Sequence, residues 1–131
     1  MVVCVDDLDE LSLKTIKSYT AKGRVVLVSY EKTPQELQNM SCSMNISSFP
    51  HVADNKIVLK NGFLDCFSST KEALVHVLGS GYRNSIGISH RDDLPLLDVV
   101  GLPFVMSGGK NHDWHYKELS VQSLQSFLCL I

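Results

Sequence analysis

Short apolar runs alternate with amphipathic segments along most of the chain. Continuous short apolar runs are typical of strands that are buried on both faces of a sheet. They occur at residues 1–5, 24–29, 84–89 and 102–107, and a further run with a turn at Asn61-Gly62 covers 56–67. In the intervening segments, apolar residues recur at helical spacing. The predicted helices cover residues 9–22, 33–40, 69–79, 92–100 and 118–130.

Strands that alternate with helices predict a parallel sheet with helices on both of its faces. We therefore expect a single α/β domain over residues 1–131. Its predicted fold is three-layered and Rossmann-like, with a mostly parallel, about five-stranded sheet. Residues 41–55 are mostly polar and are predicted to form a loop. The chain is long enough to bury one core, whether it is a whole protein or a domain cut from a longer chain.

Composition limits the classes of binding partner and the cellular compartment that we expect for this protein. The net charge is −2 and no run of basic residues occurs, so nucleic acid is not expected as a partner. No apolar run approaches the roughly 18 residues that a membrane-spanning helix needs, so no membrane association is expected. The four cysteines are scattered and form no C-x-x-C pair, as expected for reduced thiols. These features predict a cytoplasmic protein.

Several predicted strands are followed by side chains that could carry chemistry. Asp7 and Asp9 come after the first strand, Ser29 closes the second, and Asp92 and Asp93 follow the fourth. Ligands of such folds gather at the carboxyl ends of the strands, so we expect these acids to share one edge. Clustered carboxylates repel one another unless a cation neutralises them. Magnesium, which prefers oxygen ligands, is the expected cofactor.

Four segments resemble the motifs of the haloacid dehalogenase-like (HAD) phosphatase superfamily. "VVCVDDLDEL" resembles the first motif, Asp-x-Asp-Gly-Thr, with Asp7 and Asp9 as the acid pair. Ser29 in "VVLVS" is similar to the second motif, and Lys71 in "STKEAL" to the third. "ISHRDDLPLLDVVGLPFVMSGG" is similar to the fourth motif from Asp92 onward and is the most specific match. The segment "SYEKTPQEL" resembles the sugar-phosphate branch of this superfamily, which includes mannosyl-3-phosphoglycerate phosphatases. Many members carry a large cap domain, for which this chain has no room.

The resemblance implies hydrolysis of a small phosphorylated substrate, a phosphomonoester, through an aspartyl-phosphate. Asp7 would be the nucleophile, and Asp9 would be the acid/base that protonates the leaving group. Ser29 and Lys71 would bind the transferred phosphoryl group. Because a neighbouring subunit often replaces a missing cap, the resemblance also allows an oligomer.

The same resemblance implies a magnesium site formed by Asp7, Asp92 and Asp93. One carboxylate of the family motif is missing, because Ser89 or His90 stands where a first magnesium-binding aspartate is expected. Loss of a metal carboxylate weakens the electrostatic stabilisation on which catalysis depends.

The departures from the motifs leave a second interpretation open, which is a catalytically inactive HAD-like domain that binds a protein partner. Glu10-Leu11 replaces the Gly-Thr that follows the acid pair, which alters the turn that orients the pair. In that case the acids would only stabilise the fold, because acidic side chains at the start of a helix cap its first turn and complement its dipole.

A third interpretation is a pseudo-receiver domain, which is also a protein-binding module. Ser89 and Lys110 would match the switch hydroxyl and the lysine of two-component receivers. Asp65 lies too far along the chain to be the phospho-acceptor at the end of the third predicted strand.

The segment "KNHDWHYK" at 110–117 carries a further pair of metal-ligating side chains. His112 and His115 could share a metal ion, but the segment lacks the H-E-x-x-H spacing. A surface loop is the favoured interpretation.

Overall fold

The computed structural model describes residues 1–64, 67, 69–111 and 116–130. Within these residues, helices pack on a sheet of eight strands. The strands are β1 (Val2–Cys4), β2 (Val26–Ser29), β3 (His51–Ala53), β4 (Lys56–Leu59), β5 (Gly62–Leu64), β6 (Ile86–Arg91), β7 (Leu102–Lys110) and β8 (Lys117–Leu119). The α-helices are α1 (Glu10–Tyr19), α2 (Pro34–Ser43), α3 (Thr70–Leu78), α4 (Leu96–Val99) and α5 (Val121–Leu130), and a 3₁₀ helix covers Gly79–Asn84.

The described strands lie in the order β5-β4-β3-β2-β1-β6-β7-β8. Six of them pair in parallel, and β4 and β5 extend the sheet as antiparallel strands. When the parallel strands alone are counted along the chain, their order is 3-2-1-4-5-6, which is the Rossmann order. The predicted α/β fold with a mostly parallel, Rossmann-like sheet is confirmed. The predicted count of about five strands is wrong.

Two short strands account for much of the difference in strand count. β3 lies in the segment 41–55, which was predicted to be a loop, and β8 lies just before the last helix. Each has three residues, too few for an apolar pattern to stand out from its polar surroundings. β3 nevertheless pairs with β2 on one side and β4 on the other, and α2 and α3 pack against it, so Val52 and Ala53 are buried. Such strands are stabilised by their neighbours more than by local preference.

Alternating side chains of the central strands contribute to two apolar layers. Val2 and Cys4 of β1 lie in the layer on which α3 and α4 pack. Val3 and Val5 lie in the opposite layer, with α1, α2 and α5. Helices therefore cover both faces of the sheet, which gives the three layers that the sequence predicts.

Local interactions determine where the helices begin and end. The side chains of Asp9, Thr33 and Ser69 accept hydrogen bonds from first-turn amides of α1, α2 and α3. α4 is shorter than the predicted 92–100. The chain turns after it at Gly101, where a Cβ atom would lie 1.7 Å from the carbonyl oxygen of Arg83. None of the helices in the described ranges is long and apolar enough to cross a membrane.

The imidazole of His51 joins β2, β3 and the loop that precedes β3, and it is only 1% exposed. Its Nδ1 accepts a hydrogen bond from the amide of Leu27 at 3.0 Å, and its Nε2 donates to the carbonyl oxygen of Ile46 at 2.8 Å. This arrangement needs the neutral ring, because a protonated Nδ1 could not accept from Leu27. Burial lowers the pKa of His51 below its usual 6.5, and the positive charge of Arg24 acts in the same direction.

We expect acid to destabilise the fold through His51. Because its pKa is lower in the folded than in the unfolded state, the stabilisation is complete above pH ~6.5 and is lost as the pH falls below that value. Urea titrations should therefore give a lower free energy of unfolding at mildly acidic than at neutral pH. The His51→Phe variant should lose about 1–3 kcal/mol at neutral pH, since the Leu27 amide loses its acceptor, and should lack this part of the pH dependence.

The exposed His76 on α3 supplies the control for this measurement. His76→Gln should leave both the stability and its pH dependence close to those of the wild type. A His51→Phe variant that kept the full pH dependence would show that another group causes it.

Candidate functional site

The carboxyl ends of β1 and β6 lie side by side at the point where the strand order reverses. The two strands pair in parallel, with Val2 opposite Gly87 and Val3 opposite Ile88. The chain continues from β1 to α1 on one face of the sheet and from β6 to α4 on the other. In folds of this order, ligands bind where the strand order reverses. The predicted acids after β1 and β6 therefore lie at one edge, as expected.

Asp6 is the buried acid at this edge, with 6% of its surface exposed. Its carboxylate accepts hydrogen bonds from the Ser29 hydroxyl at 2.6 Å and from the Tyr30 amide at 2.7 Å. The Ser29 oxygen in turn accepts from the amide of Lys32 at 2.8 Å. Burial and the charge of Asp6 raise the pKa of the Cys4 thiol to about 12. A hydrogen-bonded buried carboxylate thus joins the ends of β1 and β2.

Tyr30 connects the end of β2 to the starts of α3 and α4. Its phenol oxygen accepts a hydrogen bond from the amide of Leu96 at 3.2 Å, and it also hydrogen-bonds with Thr70. Thr70 donates in turn to the side chain of Asn55. Burial raises the pKa of Tyr30 to about 12, so the phenol stays protonated at neutral pH. This part of the edge is therefore occupied by a network of neutral polar groups.

Asp7 and Asp9, the predicted catalytic pair, have different surroundings. Asp7 is exposed and has a φ of 61°, in the left-handed region that Asp tolerates better than most residues. Asp9 caps α1 by accepting a hydrogen bond from the amide of Ser12 at 2.7 Å. The hydrogen bonds from Ser12 hold the pKa of Asp9 below its usual range, and the charge of His90 acts in the same direction. The structural interpretation of Asp9 as a helix cap is confirmed.

Arg91, the last residue of β6, places a positive charge among the acids of this edge. Its Nε and Nη2 atoms donate to the two carboxylate oxygens of Asp93, at 3.0 Å and 2.7 Å. The hydrogen bonds and charge of Asp93 raise the pKa of Arg91, and the charges of Asp7 and Glu31 raise it further. The guanidinium therefore interacts with acids from the segments that follow β1, β2 and β6.

A β-bulge positions the end of β6. The register between β6 and β7 shifts between Ser89 and Arg91, where β7 contains extra residues. Gly108 has a φ of 88°, which favours glycine. A Cβ atom on Gly109 would lie 2.2 Å from the carbonyl oxygen of His90. Gly108 thus permits the local backbone conformation, and Gly109 permits the backbone of β7 to approach β6 this closely.

Lys71 and Asp92 are the remaining predicted site residues. Lys71 is an exposed side chain in the first turn of α3. The Asp92 amide donates to the carbonyl oxygen of Lys110 at 2.8 Å, and the Asp92 charge acts on Tyr116, whose pKa is raised mainly by burial and by the charge of Asp98. Asp92 thus interacts with the end of β7 and with Tyr116.

The arrangement of side chains does not fit a magnesium ion. Among the residues that the structure describes, no group of three or more His, Cys, Asp or Glu side chains could hold a metal ion. Asp93 is bound to Arg91, and Asp9 caps α1. The site of Asp7, Asp92 and Asp93 therefore stays a prediction that the geometry does not support.

A polar cavity of about 390 Å³ lies between the starts of α1 and α2. Its charged lining consists of Asp6, Asp7, Glu31, Lys32 and Glu36. An acidic cavity of this kind disfavours an anionic phosphate group unless a cation is bound with it.

Sequence reasoning did not single out Arg91 and Tyr30, and it treated Asp6 as one of several acids. The sequence does distinguish Asp6 from the other acids, because Asp6 directly follows the first apolar run, at residues 1–5. Arg91 stands immediately before two acids, which is a common surface pattern. The predicted Asp65, His112 and His115 lie outside the described residues.

Asp6 and Asp7 provide a matched pair for testing the buried carboxylate. Asp6→Asn replaces an acceptor by an amide whose NH₂ group cannot accept from Ser29 or Tyr30. We expect a loss of about 1–3 kcal/mol in the free energy of unfolding measured by urea titration. Asp7→Asn changes an exposed side chain and should alter this value by no more than about 0.5 kcal/mol. Equal effects of the two substitutions would contradict the distinction between a buried and an exposed acid.

Comparison with known proteins gives no relative from which to transfer a function. The sequence matches no family model and no curated protein, and the fold matches no solved structure. The function must therefore be inferred from the fold and from the side chains at this edge of the sheet.

Proposed function

We propose that this chain is a HAD-like core that lacks phosphatase activity and binds a protein partner. Two features support the HAD-like assignment: the resemblance of the four sequence motifs, and a Rossmann-ordered sheet in which the segments after β1 and β6 are neighbours. The proposed lack of phosphatase activity rests on one observation, which is the position of Arg91.

Arg91 supplies the positive charge that a magnesium ion would supply in a phosphatase of this kind. It binds Asp93 through two hydrogen bonds and acts on Asp7 and Glu31. A divalent ion ~5 Å from a guanidinium is repelled by about 2 kcal/mol even at the dielectric constant of water. A protein cation that is always present therefore competes with a metal ion for these acids.

The surroundings of Ser29 also argue against phosphoryl transfer. Its hydroxyl donates to the buried Asp6 and accepts from the amide of Lys32. A phosphoryl group that approached this hydroxyl would meet the Asp6 carboxylate at hydrogen-bonding distance. Without a metal ion between them, two anions at that separation repel strongly.

The strand order argues against the pseudo-receiver interpretation. Receiver domains have the order 2-1-3-4-5, in which the third parallel strand lies beside the first. Here β1 lies between β2 and β6, and β3 lies beyond β2.

A reducing, cytoplasmic location is part of the same proposal. Cys4, Cys42 and Cys129 are free cysteines, and two of them are exposed. Exposed free thiols are more common in reducing compartments.

An active magnesium-dependent phosphatase is the second candidate. It is favoured by the exposure of Asp7 at the edge where β1 and β6 end. In this case Asp7 would attack a phosphomonoester, and Lys71 would bind the phosphoryl group.

The two candidates differ in their response to magnesium. We expect the wild-type protein to hydrolyse para-nitrophenyl phosphate no faster than Asp7→Asn in millimolar Mg²⁺, and its thermal unfolding midpoint to be unchanged by Mg²⁺. In Arg91→Ala the repelling charge is gone, so Mg²⁺ should raise the midpoint. The expected stabilisation is about 1 kcal/mol at an ion concentration several times the Kd.

Arg83→Ala is the matched control, because Arg83 is an exposed arginine whose Nε donates to the hydroxyl of Tyr82. Its response to Mg²⁺ should equal that of the wild type. Wild-type turnover that requires Mg²⁺ and is abolished in Asp7→Asn would overturn the proposal in favour of the phosphatase.

A further inference from the structure

The exposed surface of α1 is basic in a chain that is acidic as a whole. Residues 11–23 contain Lys14, Lys17 and Lys22 and no Asp or Glu, although the net charge of the chain is −2. All three side chains are exposed. Lys14 forms an exposed ion pair with Glu10 at 3.9 Å, which is too long and too solvated to neutralise this surface.

Two clefts with apolar walls flank these lysines. The cleft between α1 and α2 has a volume of about 200 Å³; its apolar lining is Leu13, Met40 and Met44, and its charged lining is Lys14, Lys17 and Glu10. Methionine side chains adapt readily to the shape of a bound group. The cleft therefore suits a small apolar side chain.

The second cleft lies between α1 and α5 and has a volume of about 370 Å³. Tyr19 and Leu128 supply its apolar surface, and Lys22 lies at its rim. Leu11, at the start of α1, is 55% exposed. Apolar and basic groups thus alternate along the helix, and we refer to Leu11, Lys14, Lys17 and Lys22 with the two clefts as the α1 face.

We infer that the α1 face binds an acidic, amphipathic helical segment of a partner protein. Apolar side chains of the segment enter the clefts, and its carboxylates lie against the lysines. A helix that presents side chains at three- and four-residue spacing matches clefts that run along another helix. This inference rests on the proposed binding function and names the chemistry of the partner.

The shape of the surface favours this partner over other anionic ones. Single-stranded nucleic acid needs exposed aromatic side chains for base stacking, and Tyr19 is a wall of a cleft with its side chain only partly exposed. A lipid surface is flat and favours a protruding apolar face, whereas apolar surface here lies largely inside clefts between helices. Charge complementarity and concave apolar surface together fit a peptide.

Selection of peptides from a random library on the immobilised full chain provides the test. We expect the selected peptides to combine Asp or Glu with Leu, Ile, Phe or Met at helical spacing. Their Kd, measured by fluorescence anisotropy, should increase with salt concentration. Lys17→Glu/Lys22→Glu should weaken binding about tenfold or more, since two attractive charges become repulsive.

Matched variants on other surfaces separate a local effect from a general one. Lys60→Glu/Lys117→Glu makes the same charge change at two other exposed lysines and should leave the Kd unchanged. Leu11→Ser should weaken binding, whereas Leu102→Ser, at a leucine with 52% exposure, should not.

Three results would overturn the inference. The first is failure to select any binding peptide, and the second is selected peptides whose binding is unaffected by Lys17→Glu/Lys22→Glu. The third is that single-stranded RNA or phosphatidylserine vesicles bind more tightly than the selected peptides, with the same dependence on these lysines. The hydrolysis assay with Asp7→Asn tests the non-catalytic proposal separately, so its failure is distinguishable from failure of the α1 face.

Discussion

The buried carboxylate of Asp6 joins the ends of the two central strands, β1 and β2, and the polar edge of the sheet is arranged around it. A carboxylate that loses water on folding must regain hydrogen bonds from the protein. The Ser29 hydroxyl and the Tyr30 amide supply them. These bonds fix the direction in which the chain leaves β2, and with it the position of the Tyr30 ring against α3 and α4. The Ser29 hydroxyl, which resembles a phosphate ligand in the sequence, is in this way engaged within the protein.

Neutralisation of the remaining acids follows a similar principle. Carboxylates at the meeting point of parallel strands repel one another, and either a metal ion or a basic side chain can reduce that repulsion. In this chain Arg91 lies at the end of β6 and takes that role for Asp93, with weaker effects on Asp7 and Glu31. A guanidinium held by its own backbone needs no binding equilibrium to be present at this edge.

The two surfaces of the molecule thus differ in what they offer a partner. At the carboxyl edge, Asp6, Ser29, Tyr30 and Arg91 are held by hydrogen bonds within the protein. On the α1 face, the lysines are exposed and lie beside clefts with apolar walls. The inferred binding of a partner's carboxylates and apolar side chains rests on this arrangement.

The sequence alone determined the alternation of strands and helices, the position of α3, and the edge at which the acids lie, because apolar periodicity and the geometry of parallel strands are local or topological properties. Tertiary structure decided the rest. β3 and β8 are too short to have a pattern of their own and form only against their neighbours. Asp6 is buried rather than Asp7 because its carboxylate accepts hydrogen bonds from Ser29 and Tyr30, at the end of β2 and more than twenty residues away. Adjacent acids look alike in a sequence, and only the position of their distant partners separates a structural carboxylate from an exposed one.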